Sequence, residues 1–222
     1  RGRAGDVSWS PDGTKVAFAG TAGSGTDAGF YIDDPLDGRQ PELVYEPGTP
    51  GWGLADWSPD GKALLIGRFI SVNEVYLYVL DLETRKLREV EPSKQKAGRL
   101  NAIFSGDGKG VYFTSDLGSE YQTLRHMDLA SGRITELTGG TQWNVDDIEL
   151  SDNGRHLAYV LNEDGASRLQ IRDVTAATEV AVPQMPFGVI GDIEFEPNGR
   201  RLAYSLQTPD SPYDIWTVTP GD

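Results

Sequence analysis

Around the stretch "SWSPDGTKVAF" (8–18), two apolar runs flank a Pro-Asp-Gly turn, and nearly the same words return as "DWSPDGKALLI" (56–66). Anchored on the turn glycine, the motif recurs at Gly13, Gly61, Gly108, Gly154 and Gly199, with spacings of 48, 47, 46 and 45. A period this regular restricts the chain to an array of like units, each burying an apolar face against the next.

The flanks define each unit. Four residues before each glycine stand Trp9, Trp57, Phe104, Leu150 and Phe195, and six before stand Val7, Ala55, Ala102, Ile148 and Ile193. The position between them is mostly polar: Ser8, Asp56, Ile103, Glu149 and Glu194. This alternation predicts a strand. Val16, Leu64, Val111, Leu157 and Leu202 follow three residues after the glycine, then Phe18, Ile66, Phe113, Tyr159 and Tyr204 after two more. These predict a second strand with β-branched and aromatic residues on one face. The turn between them is chemically suited: Pro presets φ, Asp or Asn bonds its own backbone, and Gly accepts φ > 0.

A third strand follows in each unit ("GFYID", "VYLYVLD", "TLRHMD", "RLQIRD", "DIWTV"). A short fourth follows in all but the last ("ELVYE", "LREVE", "ITELT", "EVAVP"). No stretch carries helical periodicity. Four strands in each repeat match the blade of a β-propeller. The expected fold is all-β, one propeller domain over 1–222, with five recognisable four-stranded blades near 5–47, 53–92, 99–138, 145–183 and 190–222. The last blade lacks its outer strand, which leaves an open sheet edge, so the chain reads as part of a larger propeller. Trp9 and Trp57 fall at the same repeat position and are expected to pack between blades.

Composition narrows the partners. The formal charge is 20 − 34 = −14. Such a field repels phosphate backbones, so nucleic acid is not an expected partner. No apolar run approaches the ~18 residues of a membrane span, and no membrane partner is expected. Without cysteine there is no disulfide, thiolate metal site or cysteine nucleophile; this does not separate cytoplasm from periplasm. The opening "RGRAG" has neither an initiator Met nor a signal peptide, so the chain reads as a processed or excised product.

The repeats "SWSPDGTKVAF" and "DWSPDGKALLI" resemble those shared by TolB-like proteins and the prolyl oligopeptidase family of serine peptidases. The stretches 146–173 and 188–216, with "LNEDGASRL" and "SPYDIW" in that order, are similar to the last complete blades of bacterial prolyl oligopeptidase-like propellers, and 113–138 resembles the blade before them. The resemblance implies a propeller of seven or eight blades covering an α/β-hydrolase domain that carries a Ser-Asp-His triad. In that arrangement the propeller restricts access to the peptidase. The implied partners are the α/β-hydrolase domain of the same parent protein and a peptide substrate. The alternative is a TolB-like module that docks another protein.

No catalytic residue is expected in the chain itself. No serine has Gly at both −2 and +2, as a nucleophile elbow requires. His126 and His156 fall on strands, away from any Ser and Asp constellation, and are too far apart in sequence to suggest a metal site. "GTAGSGTDAG" (20–29) precedes a strand, not the helix a dinucleotide fingerprint needs, and reads as a flexible hairpin loop. The acidic "YIDDPLDG" (31–38) and "NEDG" (162–165) could offer oxygen ligands to calcium, but turn chemistry accounts for them. No cofactor and no metal are expected.

Strand order separates two rims. The Pro-Asp-Gly turns share one rim with the third-to-fourth turns. The second-to-third loops share the other with the blade-to-blade links, and these are longer and more aromatic. Scaffold-positioned loops of this kind carry function on many folds. The candidate partner- or substrate-facing residues are therefore Trp52, Glu120, Tyr121, Trp143, Glu163, Asp164, Phe187 and Tyr213. Lys94, Lys96 and Arg99 are expected to balance the acidic residues of that rim.

Overall fold

The computed structural model describes residues 4–21 and 28–221. The "GTAGSGTDAG" loop falls largely outside them. Nineteen strands and no helix are present among the described residues.

Blade 1 comprises β1 (Ala4–Trp9), β2 (Val16–Thr21), β3 (Ala28–Asp33) and β4 (Glu42–Tyr45). Blade 2 comprises β5 (Trp52–Trp57), β6 (Ala63–Ser71), β7 (Glu74–Asp81) and β8 (Leu87–Val90). Blade 3 holds β9 (Arg99–Phe104), β10 (Gly110–Ser115), β11 (Thr123–Asp128) and β12 (Ile134–Glu136). Blade 4 holds β13 (Asn144–Leu150), β14 (His156–Glu163), β15 (Ala166–Asp173) and β16 (Thr178–Val180). Blade 5 has β17 (Val189–Phe195), β18 (Leu202–Thr208) and β19 (Ser211–Val218). Every sheet is an antiparallel meander in chain order; four have four strands, and the fifth has three.

The turns form because their residues leave little choice. All five repeat glycines take positive φ: Gly13 +68°, Gly61 +71°, Gly108 +68°, Gly154 +69° and Gly199 +67°. The Asp or Asn before each glycine accepts the backbone N–H two residues on, as Asp12 does from Thr14 and Asn153 from Arg155. Where blades 1 and 2 have proline, blade 3 has Gly106. A Cβ there would stand 2.5 Å from the Gly154 Cα, so the turns of blades 3 and 4 touch backbone to backbone. Gly106→Pro would restore the repeat consensus, yet it is expected to lower stability by about 2 kcal/mol through overpacking. Chemical denaturation checks this; a rise in the midpoint would mean that the two turns are not in contact.

Four apolar cores lie between successive blades. Ala17, Ala19, Phe30 and Val44 of blade 1 meet Trp57, Leu64, Ile66 and Leu80 of blade 2. Leu65, Leu77 and Val90 of blade 2 meet Phe104, Val111, Phe113 and Met127 of blade 3. The same scheme joins blades 3 and 4 and blades 4 and 5. Each blade thus presents one face backward and one forward, as a propeller requires. The first strands β1, β5, β9, β13 and β17 stand side by side in succession. Each is irregular in its pairing with the second strand, and Asp6 and Asn101 take positive φ at these bulges.

One expectation about packing requires correction. Trp57 is 6% exposed, but Trp9, at the same repeat position, is 58% exposed. Trp57 has blade 1 to pack against. The backward face of blade 1 has no blade before it among the described residues, so Trp9 and Val7 face outward.

Candidate functional site

The two rims differ in what they expose. The tight-turn rim shows the charged and polar residues of the repeat turns, including Asp60, Lys62, Asp107 and Lys109, with Leu36 of the β3–β4 turn as an exposed apolar side chain among them. The loop rim shows Phe69, Ile70, Val72, Leu100, Trp143, Phe187, Val189 and Tyr213, all large apolar side chains more than a third exposed. Phe187 at 73% and Val72 at 70% are the most open. Loops with little room to fold back over themselves leave such residues in solvent, and grouped apolar exposure on one rim marks a contact surface.

The candidate residues lie on this rim, spread over blades 2 to 5. Trp52 is half-buried and packs its own surroundings: its indole Nε1–H donates to Thr49 Oγ1 at 3.0 Å, and its ring meets Tyr45 and Tyr78 at 6.4 and 5.3 Å. Glu120 is exposed and Tyr121 half-buried. Trp143 is exposed just before β13. Glu163 pairs with Arg168 at 3.0 Å. Asp164 (φ +55°) and Gly165 (φ +85°) form the two-residue turn between β14 and β15, so Asp164 is occupied by turn geometry. Glu163 and Phe187 share a cavity of about 730 Å³ with Val182 and Met185; the others do not converge on one pocket.

Sequence reasoning missed the apolar tip Phe69, Ile70 and Val72. "ISVNE" reads as an ordinary loop, whereas β6 and β7 stay paired as far as Ser71↔Glu74, and the hairpin carries the tip on a long ladder. Arg99, expected among the rim charges, is instead 1% exposed. Its Nε donates to Glu91 Oε2 at 2.9 Å. Arg125 bonds the other oxygen of the same carboxylate, and Ser115 Oγ donates to Oε2 at 2.6 Å. Arg99 opens blade 3 and Glu91 ends blade 2, so the pair fastens one blade to the next.

Among the described residues, neither histidine is set against a serine and an aspartate as in a triad. His126 lies against Tyr112 at 4.7 Å between centroids with the rings tilted by 42°, and desolvation depresses its pKa. His156 lies 6.5 Å from the Phe195 ring. Neither imidazole is hydrogen-bonded to a serine hydroxyl among the described residues. Asp34 and Asp37, of the acidic stretch 31–38, accept backbone N–H bonds from Leu36 and Arg39 within their own turns.

The first strands carry half-buried acidic groups. Burial pushes the Asp56 carboxyl up to about 6, although it accepts the N–H of Phe104 at 2.7 Å and that of Trp57. Burial, then the neighbouring Asp147 and Glu194 carboxylates, push Glu149 up to about 7. A carboxyl with a raised folded pKa is favoured in its protonated form, so stability from these groups falls as pH rises from the ordinary carboxylate range to about 7. The turn carboxylates act oppositely. Hydrogen bonds from Ser10 and Thr14 hold Asp12 at about 2, and that stability is lost as pH falls below the ordinary carboxylate value. The melting midpoint is expected to peak near pH ~5 and to decline on both sides. Glu149→Gln should flatten the alkaline decline; an unchanged profile in this variant would contradict the assignment.

Comparison with known proteins agrees with this architecture. No family model matches the chain. Over 150 residues it is 30% identical to dipeptidyl-peptidase 5 of Porphyromonas gingivalis, a match spanning 61% of this chain and 21% of that protein. Among solved structures, a puromycin-hydrolyzing peptidase of Mycobacterium tuberculosis superposes with a TM-score of 0.79 at 19% identity, covering 98% of this chain and 36% of that one. Prolyl oligopeptidase B of Galerina marginata gives 0.75 at 19%, covering 95% and 31%. TolB of Acinetobacter baumannii gives 0.64 at 23%, covering 99% and 55%. The match spans about a fifth of the length of that dipeptidyl-peptidase.

Proposed function

Because the chain shares its fold with the propeller regions of prolyl oligopeptidases and with TolB propellers, we propose that it is the non-catalytic propeller portion of a prolyl oligopeptidase-like serine peptidase. Its loop rim seats an α/β-hydrolase domain and restricts the passage of peptides to it. The observation that carries this reading is the gathering of exposed apolar side chains on the loop rim, from Phe69 and Val72 to Trp143, Phe187 and Tyr213. The sequence likeness to a dipeptidyl-peptidase supports the same reading.

The propeller continues beyond five blades in this reading. The backward face of blade 1 exposes Val7 and Trp9, and the last strand of blade 5 exposes Ile215 and Trp216. Strand β19 also has no outer partner in its sheet among the described residues. Further blades would cover both surfaces.

A second reading, a TolB-like module that docks another protein, is favoured by the TolB superposition over 99% of the chain. Binding measurements against a hydrolase domain from the same parent protein separate the two. Trp143→Ala is expected to weaken that docking by about 2 kcal/mol if the indole fills a pocket. Lys62→Ala, on the tight-turn rim, should change it little. Equal effects of the two substitutions would count against the loop rim, and no binding by the unsubstituted chain would favour the TolB-like reading.

A further inference from the structure

On the tight-turn rim, opposite the proposed docking surface, a cleft of about 420 Å³ opens between blades 1 and 2. Its apolar floor includes Ile32, Val44, Trp57 and Leu82. The Trp57 indole Nε1–H is buried and has no hydrogen-bond partner among the described residues. That is costly: a buried donor left unpaired loses about 1–3 kcal/mol. Packing does not require it, because Phe104 and Phe195 fill the same repeat position, buried and without a donor. The nitrogen lies 4.0 Å from where a Gly61 Cβ would stand, and Gly61 also lines the cleft. The donor therefore sits beside the one lining residue that has no side chain to cover it.

The charged groups of the cleft select the ligand. Asp12, Glu42 and Asp60 face Lys15 and Arg85, a formal balance of 2 − 3 = −1. Arg85 is held by Glu42. Asp12 and Asp60 each use Oδ1 for their own turns, accepting from Ser10 Oγ and Ser58 Oγ at 2.7 Å. No hydrogen bond among the described residues uses the Oδ2 of either. The cleft thus offers one unpaired buried donor at its wall and solvent-facing carboxylate oxygens on its lining. We propose that this cleft binds a basic residue of an extended peptide. Its backbone carbonyl accepts the Trp57 indole N–H, its methylene stem lies on Ile32 and Leu82, and its cationic head meets Asp12 and Asp60. Both carboxylates have lowered pKa values and stay ionised at neutral pH.

The test is a titration of the chain, followed by the indole N–H resonance of Trp57 in two-dimensional NMR and assigned through Trp57→Phe. The probes are N-acetyl-lysinamide and its neutral counterpart N-acetyl-norleucinamide. The lysine probe is expected to move the Trp57 resonance downfield and to saturate, with the norleucine probe about 5-fold weaker for want of the ion pair. Trp57→Phe should keep the fold, as phenylalanine does in blades 3 and 5, and bind the lysine probe about 5-fold more weakly. Asp60→Asn, which leaves the indole in place, should weaken only the lysine probe. A Trp57 resonance that stays still up to the solubility limit of the lysine probe would overturn the proposal. So would equal affinity for the two probes, which would leave the cleft a site for apolar amides without charge selection.

Discussion

Glu91→Ala is expected to lower the stability of the chain by about 3–5 kcal/mol, among the largest effects of any single substitution. The Glu91 carboxylate is buried between two buried guanidiniums, Arg99 at 2.9 Å and Arg125. Arg125 also donates to the carbonyl of Leu117 at 2.7 Å, and Arg99 to that of Val75 at 3.1 Å. Removing the carboxylate leaves two cations facing each other out of water, with carbonyl oxygens, the Thr123 hydroxyl, the Tyr76 ring and the more distant Glu136 to answer them. Glu91→Gln keeps an acceptor but not the charge, and should fall between alanine and the unsubstituted chain. Replacing Glu91, Arg99 and Arg125 together by apolar residues of similar volume should restore much of the loss, because desolvation offsets most of what the ion pairs contribute. Denaturant unfolding of the set decides it. A loss below about 1 kcal/mol for Glu91→Ala would show that water reaches the three groups in solution.

Phe113→Ala should cost a similar amount, about 3–5 kcal/mol, for a different reason. Phe113 is fully buried and belongs to the core that joins blade 2 to blade 3, with Leu65, Leu77 and Met127. The neighbouring blades are held by backbone ladders and cannot collapse into the space that a benzyl group leaves. Phe18 occupies the same repeat position in blade 1 but is only half-buried, stacked on Tyr31 at 5.5 Å. Phe18→Ala should therefore cost clearly less. Equal losses at the two positions would mean that the backward face of blade 1 is as covered as the faces within the array.

The contrast between Phe113 and Phe18 also shows what a sequence can and cannot reveal here. The repeat turns were legible because their requirement is local: a glycine at positive φ, flanked by a residue that bonds its own backbone, reads the same in every unit. Strand order and the two rims follow from those turns. Burial is not local. Trp9 and Trp57 are the same residue at the same repeat position, yet among the described residues only Trp57 has a preceding blade to lie against. The Arg99–Glu91–Arg125 cluster joins residues from two blades, and no spacing announces it. Arg99 therefore read as a rim charge. Turn chemistry was legible in "NEDG", but its two-residue length, which ties up Asp164, depends on the pairing of β14 with β15. On the loop rim the aromatic residues Trp143, Phe187 and Tyr213 were legible as loop aromatics. Val72 and Ile70 were not, since their exposure depends on how far the β6–β7 hairpin stays paired.

The central claim is that the loop rim is the docking face. Hydrogen exchange of the chain, alone and joined to the remainder of its parent protein, tests it most directly. Protection gained on joining should fall at the loop rim: the hairpin tip around Ile70–Asn73, the segment leading to Trp143, and the residues around Phe187. Amides near Asp12, Asp60 and Asp107 should exchange as they do in the isolated chain. Protection concentrated at those turns, with none near Val72 or Trp143, would contradict the account and place the docking face on the opposite rim.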